Sequence, residues 1–399
     1  MSPWRGAFFA VQATAASLLL ALSAAGAQDG RETAGALTTS EERQPPAEEL
    51  SAGELIALGS VQAELDQLDA AEASFLEATE RIIAADGEFA SSLIDGYRGL
   101  ADVFARREDF AEAIAVLEQA RHIGHRNYGL FNLDQAEILD QLSRVLEDAG
   151  DTRQAHEAQR EILDVASRHF GSDDTGVIPY HYRLADYYKA ARMRGSAREQ
   201  YETALDLLQD DPTAGPADFL KPLYEILQID TVLGESLRSQ RRLEETLDAA
   251  VNAEPLDRAE GLAALGDTAL VDGDAELATV RYKEAYAALA RVGTASADEF
   301  FAQPRMINFI PPPAPVDWGE RSDRAYDWGS ITLRFALSTD GRAERIQIIV
   351  ADPPGLMDAR YAQRLHEAVF RPRLAAGEPV ATPRLRYSHE FRYFVADTD

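Results

Sequence analysis

Cysteine is absent from all 399 residues. Its absence excludes disulfides, thiolate metal sites and a lipid-attachment thiol. Positive charge is scarce as well: 39 Lys and Arg stand against 68 Asp and Glu, a formal charge of −29. A chain this acidic is not built to bind nucleic acid, because neutralising phosphates needs a basic face. Catalytic signatures are missing too: there is no P-loop, no G-x-S-x-G elbow, no H-E-x-x-H and no Rossmann glycine run. His122 and His125 could share a helix face, but no third metal ligand lies near them in sequence. The expectation is a chain that is not an enzyme, with no catalytic residue, no metal, no cofactor and no small-molecule substrate. Long apolar runs are lacking everywhere except at the N-terminus.

That N-terminus reads as an export signal over residues 1–27. Arg5 supplies a positive start, Ala7 to Leu22 is apolar apart from Gln12, Thr14 and Ser17, and Ala25-Gly26-Ala27 offers small residues for cleavage before Gln28. The rival reading is an uncleaved anchor, since Phe8 to Ala27 is nearly long enough to span a bilayer. The expected location is therefore the periplasm. The alternative is an inner-membrane anchor facing it, and only then would the membrane be a partner. Residues 28–50 are polar and acidic and carry Pro45-Pro46, which reads as a disordered tether.

Self-similarity begins beyond the tether. Ala71, Ala113, Ala155 and Ala197 recur at a spacing of 42, and the same sizes recur around each. Leu55, Leu58 and Gly59 precede Ala71, Phe75 and Ala78. Tyr97, Leu100 and Ala101 precede Ala113, Leu117 and Ala120. Leu139, Leu142 and Ser143 precede Ala155, Gln159 and Ile162, and Leu184, Ala185 and Tyr188 precede Ala197, Tyr201 and Ala204. Another good unit runs from Ala259 to Leu289, with Leu262, Leu265, Gly266, Ala278, Tyr282 and Ala285 in the matching places. A degenerate fifth unit fills the gap between Pro216 and Ala250. Small residues stand where two helices cross closely and large ones fill the neighbouring holes, so each unit is a helix hairpin. Asp109 and Asp151 sit where a carboxylate can cap a second helix.

This pattern resembles the tetratricopeptide repeat, in a form with helices longer than its usual period, and implies an α-solenoid of about six repeats over residues 51–292. The resemblance implies a concave face, lined by first helices, that binds a protein or peptide. The implied face residues are Arg98, Asp102 and Arg106, then Asp140, Arg144 and Glu147, then Tyr182, Asp186 and Lys189.

After Val292 the helical pattern fails, and Ile310-Pro311-Pro312-Pro313-Ala314-Pro315 cannot be helical. Residues 293–327 are expected to be a Pro-containing linker and semi-rigid spacer, although Phe300, Phe301, Ile307 and Phe309 are apolar enough for part of it to dock on the array. From Ser330 the period becomes 2: Ile331, Leu333, Phe335 and Leu337 alternate with polar or small residues. Thr339-Asp340-Gly341-Arg342 is a turn signal, a second strand runs from Ala343 to Val350, and Leu356 to Val369 reads as an amphipathic helix. A last strand spans Arg384 to Phe394.

Strand, strand, helix, strand, with Phe370-Arg371-Pro372 and Gly377-Glu378-Pro379-Val380 before the last strand, resembles the TonB C-terminal domain over residues 328–396. The fold class expected is multidomain α plus α+β: the repeat solenoid followed by this small β-β-α-β domain. The resemblance implies strand addition, an extended segment pairing along an exposed sheet edge. The partner-facing strand would carry Arg384, Arg386, Ser388, Glu390 and Arg392. Partners would be proteins or peptides of the cell envelope, with outer-membrane transporters as one class. The alternative function is a membrane-anchored energy transducer of the TonB type. The sequence departs from that pattern in two places: its N-terminal segment holds no histidine, and the long Pro/Lys/Glu-rich spanning segment is replaced by the helical array.

Overall fold

A computed structural model describes residues 50–313, residue 315 and residues 326–394. The export signal and nearly all of the tether lie outside the described residues, as do the ends of the linker and of the C-terminal domain. Two compact units divide the chain, 1–165 and 166–399. The boundary falls inside the repeat array, not at its C-terminal end. Among the described residues no helix is long and apolar enough to cross a membrane.

Unit one holds helices α1 (Ala52–Glu64), α2 (Leu68–Asp86), α3 (Leu93–Arg106), α4 (Phe110–Tyr128) and α5 (Gln135–Asp148), and most of α6 (Thr152–Phe170). Ser51 starts the array with a reciprocal cap, its hydroxyl accepting from the Glu54 amide while the Glu54 carboxylate accepts from the Ser51 amide. Asp151 caps α6 through the Gln154 amide at 3.0 Å. Asp109 precedes α4 but makes no side-chain cap bond, so only one of the two expected caps forms. Gly87 and Gly129, 42 residues apart, end α2 and α4 with φ of 90° and 89°. Glycine reaches this region without the Cβ penalty, which keeps the turns between hairpins alike.

The interior of unit one shows how neighbouring hairpins interlock. The Phe75 ring of α2 lies against Gly59 of α1 and Gly99 of α3. A Cβ added at Gly59 would come within 2.9 Å of that ring, and one at Gly99 within 2.4 Å. One aromatic ring thus fills a space left by glycines of two successive first helices. Ala101, Ala113, Leu117, Ala120, Leu142, Leu146 and Ala155 continue the core.

Unit two continues the hairpins. After a 3-10 turn at Thr175–Val177 come α7 (Ile178–Ala190), α8 (Arg194–Asp210), α9 (Leu220–Leu233), α10 (Leu237–Ala249), α11 (Pro255–Val271), α12 (Ala275–Ala290) and a short α13 (Thr294–Phe300). The degenerate fifth unit is the hairpin α9–α10, joined to α11 by a buried hydroxyl pair, Thr231 with Thr268 at 2.7 Å.

The strand-rich end comprises β1 (Arg305–Asn308), β2 (Tyr326–Leu337), β3 (Ala343–Asp352), α14 (Asp358–Glu367), β4 (Val369–Arg371), β5 (Arg373–Ala375), β6 (Glu378–Val380) and β7 (Thr382–Phe394). The main sheet has the order β3-β2-β7, all antiparallel. Ile331, Leu333, Phe335 and Leu337 of β2 meet Tyr361 and Leu365 of α14 and Phe391 of β7 in one core. Gly341, at φ 73°, makes the β2–β3 turn.

Part of the expected spacer is regular structure. α13 places Phe301, 1% exposed, beside the rings of Tyr282 and Tyr286. β1 pairs antiparallel with β4, aligning Arg305 with Arg371 and Met306 with Phe370. Residues 294–308 therefore do not separate the array from the sheet. They join the two: Phe301 packs on α12, and β1 completes a ladder with the Phe-Arg-Pro run. The apolar residues in that stretch, legible in the sequence, are the physical reason.

Candidate protein-binding surfaces

The first candidate surface is the row of first-helix positions. In unit one none of them is buried, and they pair chiefly with charges and backbone nearby. Arg98 meets Glu137 at 2.9 Å and Asp95 at 3.8 Å, Arg106 meets Asp102 at 2.9 Å and the Ala63 carbonyl at 2.7 Å, and Arg144 meets Asp140 at 3.1 Å. Glu147 is half-buried. Exposed pairs of this kind contribute little to stability. They leave a polar helix face studded with both signs of charge.

In unit two the corresponding positions are Tyr182, Asp186 and Lys189. Tyr182 is half-buried, with the Lys221 ammonium 4.6 Å from its ring centre and the Tyr201 ring behind it. Burial pushes its phenol well above the ordinary range. Asp186 is exposed, accepts a hydrogen bond from the Tyr201 hydroxyl at 2.5 Å and lies 3.8 Å from Lys189. The Lys189 ammonium is paired with Glu225.

The same tyrosine–aspartate pair recurs 81 residues later. Tyr282 donates to Asp267 at 2.9 Å. Here, however, the surroundings differ. The register turns Tyr182, Asp186 and Lys189 into Ala263, Asp267 and Leu270, and all three are buried. Arg371, from β4, meets Asp267 with two hydrogen bonds, Nε to Oδ1 at 2.8 Å and Nη2 to Oδ2 at 2.7 Å. Its side chain is 4% exposed and that of Asp267 6%. Burial works against the guanidinium charge, but the Asp267 carboxylate more than offsets it and holds Arg371 firmly protonated. A Cβ on Gly341 would come within 2.9 Å of Leu270 and 2.0 Å of the Phe370 carbonyl, so that turn needs glycine both for its φ and for its close approach.

Further contacts extend the junction. Arg305 donates to Gln228 at 2.9 Å, the Leu374 amide donates to the Phe301 carbonyl at 3.1 Å, and Lys283 meets Glu378 at 2.7 Å. The first-helix face is therefore exposed at Asp186 of α7 and filled by the chain's own C-terminal region at Asp267 of α11. Sequence reasoning missed Arg371 and Asp267 as partners. Two signals were present: Asp267 stands in register with Asp186 and Asp102, and Arg371 directly follows the apolar Ala368-Val369-Phe370.

The second candidate surface is the sheet edge. Among the described residues no strand pairs with the outer side of β7 or of β3. The two edges differ. β7 keeps an unbroken register with β2 from Tyr326↔Phe394 to Phe335↔Leu385. β3 is interrupted twice, between Thr332 and Leu333 and between Arg334 and Ala336 of its partner, and Arg345 has φ 52°. Such bulges twist an edge away from further pairing. Arg384, Arg386, Ser388 and Glu390 are exposed and Arg392 is half-buried over the Trp328 ring at 4.6 Å. They lie on the sheet face opposite Leu385, Tyr387, His389 and Phe391, which pack toward the core. These side chains flank the open backbone edge; the pairing groups themselves are the main-chain N–H and C=O of β7.

Residues 93–168, the stretch α3–α6, match the tetratricopeptide repeat family model. The chain is also similar to solved repeat structures. BtubC (BKLC) from P. vanneervenii has 17% identity over 69% of this chain and 100% of that one, with a TM-score of 0.42. A Podosopora anserina kinesin light chain with nearly identical TPR-like repeats has 16% identity over 51% of this chain and 98% of that one, with a TM-score of 0.37. No curated protein matches the sequence. Residues 93–168 thus match tetratricopeptide-type repeats within a longer array of helix hairpins, which is followed by a small strand-rich region.

Proposed function

We propose that this protein is an exported, non-catalytic scaffold of the cell envelope, whose helical face holds one protein partner while its C-terminal sheet takes up an extended peptide along β7. The observation that carries the second half is the contrast between the two edges. β7 keeps an unbroken register from Phe394 to Leu385, with unpaired backbone groups on its outer side and one irregularity at Arg384 (φ 61°), whereas β3 is interrupted twice along its pairing. A peptide laid beside Leu385 to Phe394 gains main-chain hydrogen bonds along that stretch. The strand order β3-β2-β7 with α14 on one face supports the likeness to a TonB C-terminal domain, in which the last strand pairs with a segment of an outer-membrane transporter.

The proposed location is the periplasm. It rests on the positive start, apolar run and small-residue cleavage site ahead of Gln28. Sequencing the mature N-terminus tests it: Gln28 as the first residue is expected, and an intact Met1 would favour the membrane-anchored transducer instead.

A photo-crosslinking side chain tests the docking role. Placed at Ser388 in the whole protein it should capture an envelope partner, and placed at Gln347 on β3 it should not. Equal capture at both positions overturns the assignment to β7. The whole chain must be used, because cutting near Val292 would strip Arg371 from Asp267 and unsettle the last hairpin.

A further inference from the structure

We infer that the strand accepted by β7 is acidic, carrying carboxylates on the face it shares with Arg334 and Arg386. This rests on strand addition at β7 and specifies the chemistry of the strand that is added.

Arg334 of β2 stands directly opposite Arg386 of β7. The neighbouring pair on the same face, Thr332 and Ser388, is close enough for a 3.0 Å hydrogen bond between hydroxyls. Like charges directly opposite each other in a sheet are destabilising. Among the described residues neither arginine, nor the exposed Arg384 beside them, has a carboxylate in ion-pair reach. Arginines that face a neighbouring helix of the array do, among them Arg98, Arg121, Arg198 and Arg281, whereas Arg160, Arg238 and Arg241 have none but stand opposite no second arginine in a strand ladder.

Edge protection accounts for arginines on β7, since a charged border discourages unwanted pairing. It does not account for Arg334, which lies on the central strand and protects no edge. An unneutralised arginine pair in a chain of charge −29 instead marks a place where negative charge is to be supplied from outside. A strand added to β7 sets its own side chain about 5 Å from that of Arg386, and a carboxylate there lies within reach of both guanidinium groups. Charge along β7 also gives the added strand a polarity. Arg384 and Arg386 precede Ser388 and Glu390, so acidic positions belong opposite the arginines and neutral or basic ones opposite Glu390.

Fluorescence anisotropy on the full chain tests this. The probes are three labelled nine-residue peptides that alternate valine with Glu, with Gln or with Lys. The Glu peptide is expected to bind at least tenfold more tightly than the Gln peptide, and the Lys peptide not at all. Arg386→Gln and Arg334→Gln should each remove most of that preference, while Arg386→Lys retains it and reports that the sheet is intact. Equal binding of Glu and Gln peptides would overturn the acidic preference yet leave strand addition standing. No binding by any peptide would overturn both. Salt-sensitive binding to phosphatidylglycerol vesicles that the same two Gln variants abolish, with no peptide preference, would reassign the arginines to a lipid surface.

Discussion

Phe75 in the first hairpin and Tyr282 in the last occupy the same place in the repeat, and the two are used differently. Phe75 fills a slot between Gly59 and Gly99, entirely by apolar contact. Tyr282 fills the equivalent slot against Gly266, where an added Cβ would come within 2.5 Å of its ring, but its hydroxyl also holds Asp267, which in turn holds Arg371. One added oxygen lets the last repeat anchor a buried charge pair and through it the strand-rich region. At Phe75 the slot is filled by shape alone. At Tyr282 a buried charge pair is added to the packing of Phe301 and the β1–β4 ladder.

The largest effect expected from that difference comes from removing one member of the pair. Arg371→Met leaves Asp267 buried without its cation, which should cost about 3–5 kcal/mol in urea unfolding. Adding Asp267→Leu should recover most of it, because an apolar pair of similar volume often matches a buried ion pair. If the single variant is no weaker than wild type, the junction is held by packing alone and the contrast drawn here disappears.

Glycine substitutions probe the shape half. Gly99→Ala drives a methyl into the Phe75 ring and Gly266→Ala does the same to Tyr282, each at an expected cost of about 1–3 kcal/mol from overpacking. Phe75→Leu should rescue Gly99→Ala. Tyr282→Leu should not rescue Gly266→Ala, since it also strips a hydrogen bond from Asp267. Rescue at both sites would mean that the two slots are alike after all. Tyr282→Phe isolates the oxygen and should cost about 1.5–3 kcal/mol, the usual worth of a hydrogen bond to a charged group.

Much of this arrangement was legible before the fold was seen. The spacing of Ala71, Ala113, Ala155 and Ala197 placed the hairpins, because close helix crossings tolerate only small residues wherever they fall in the chain. Alternation placed β2 and β7, and Asp340-Gly341 marked the turn between β2 and β3. The junction was not legible. Pairing of β1 with β4 spans more than sixty residues and leaves no local period, and four residues beside a proline run look like linker. Asp267 was hidden by its own regularity: it repeats the exposed Asp186, and only tertiary packing buries it. The residues proposed for the edge lie on β7, but the bulges, two along β3 and one at the start of β7, depend on backbone geometry that side-chain patterns do not encode.

The smallest effect expected concerns Glu260, beside the charge pair on α11. Burial raises its carboxyl above the ordinary value of 4.5, against the pull of Arg371 and Arg305 and with help from Glu225 and Asp267. A group whose pKa is raised on folding favours the native state in its protonated form. That contribution is complete below the unfolded pKa and is lost as pH rises through the folded one. At neutral pH the ionised carboxylate should therefore be a burden that the last hairpin carries and the first does not. Glu260→Gln mimics the protonated form at every pH, so its urea midpoint should exceed that of wild type at pH 7 and converge on it near pH 4. A variant weaker at pH 7 would mean that the two arginines hold Glu260 as a useful anion. The charged junction would then include the Arg305–Glu260 contact at 3.8 Å as well as the Arg371–Asp267 pair.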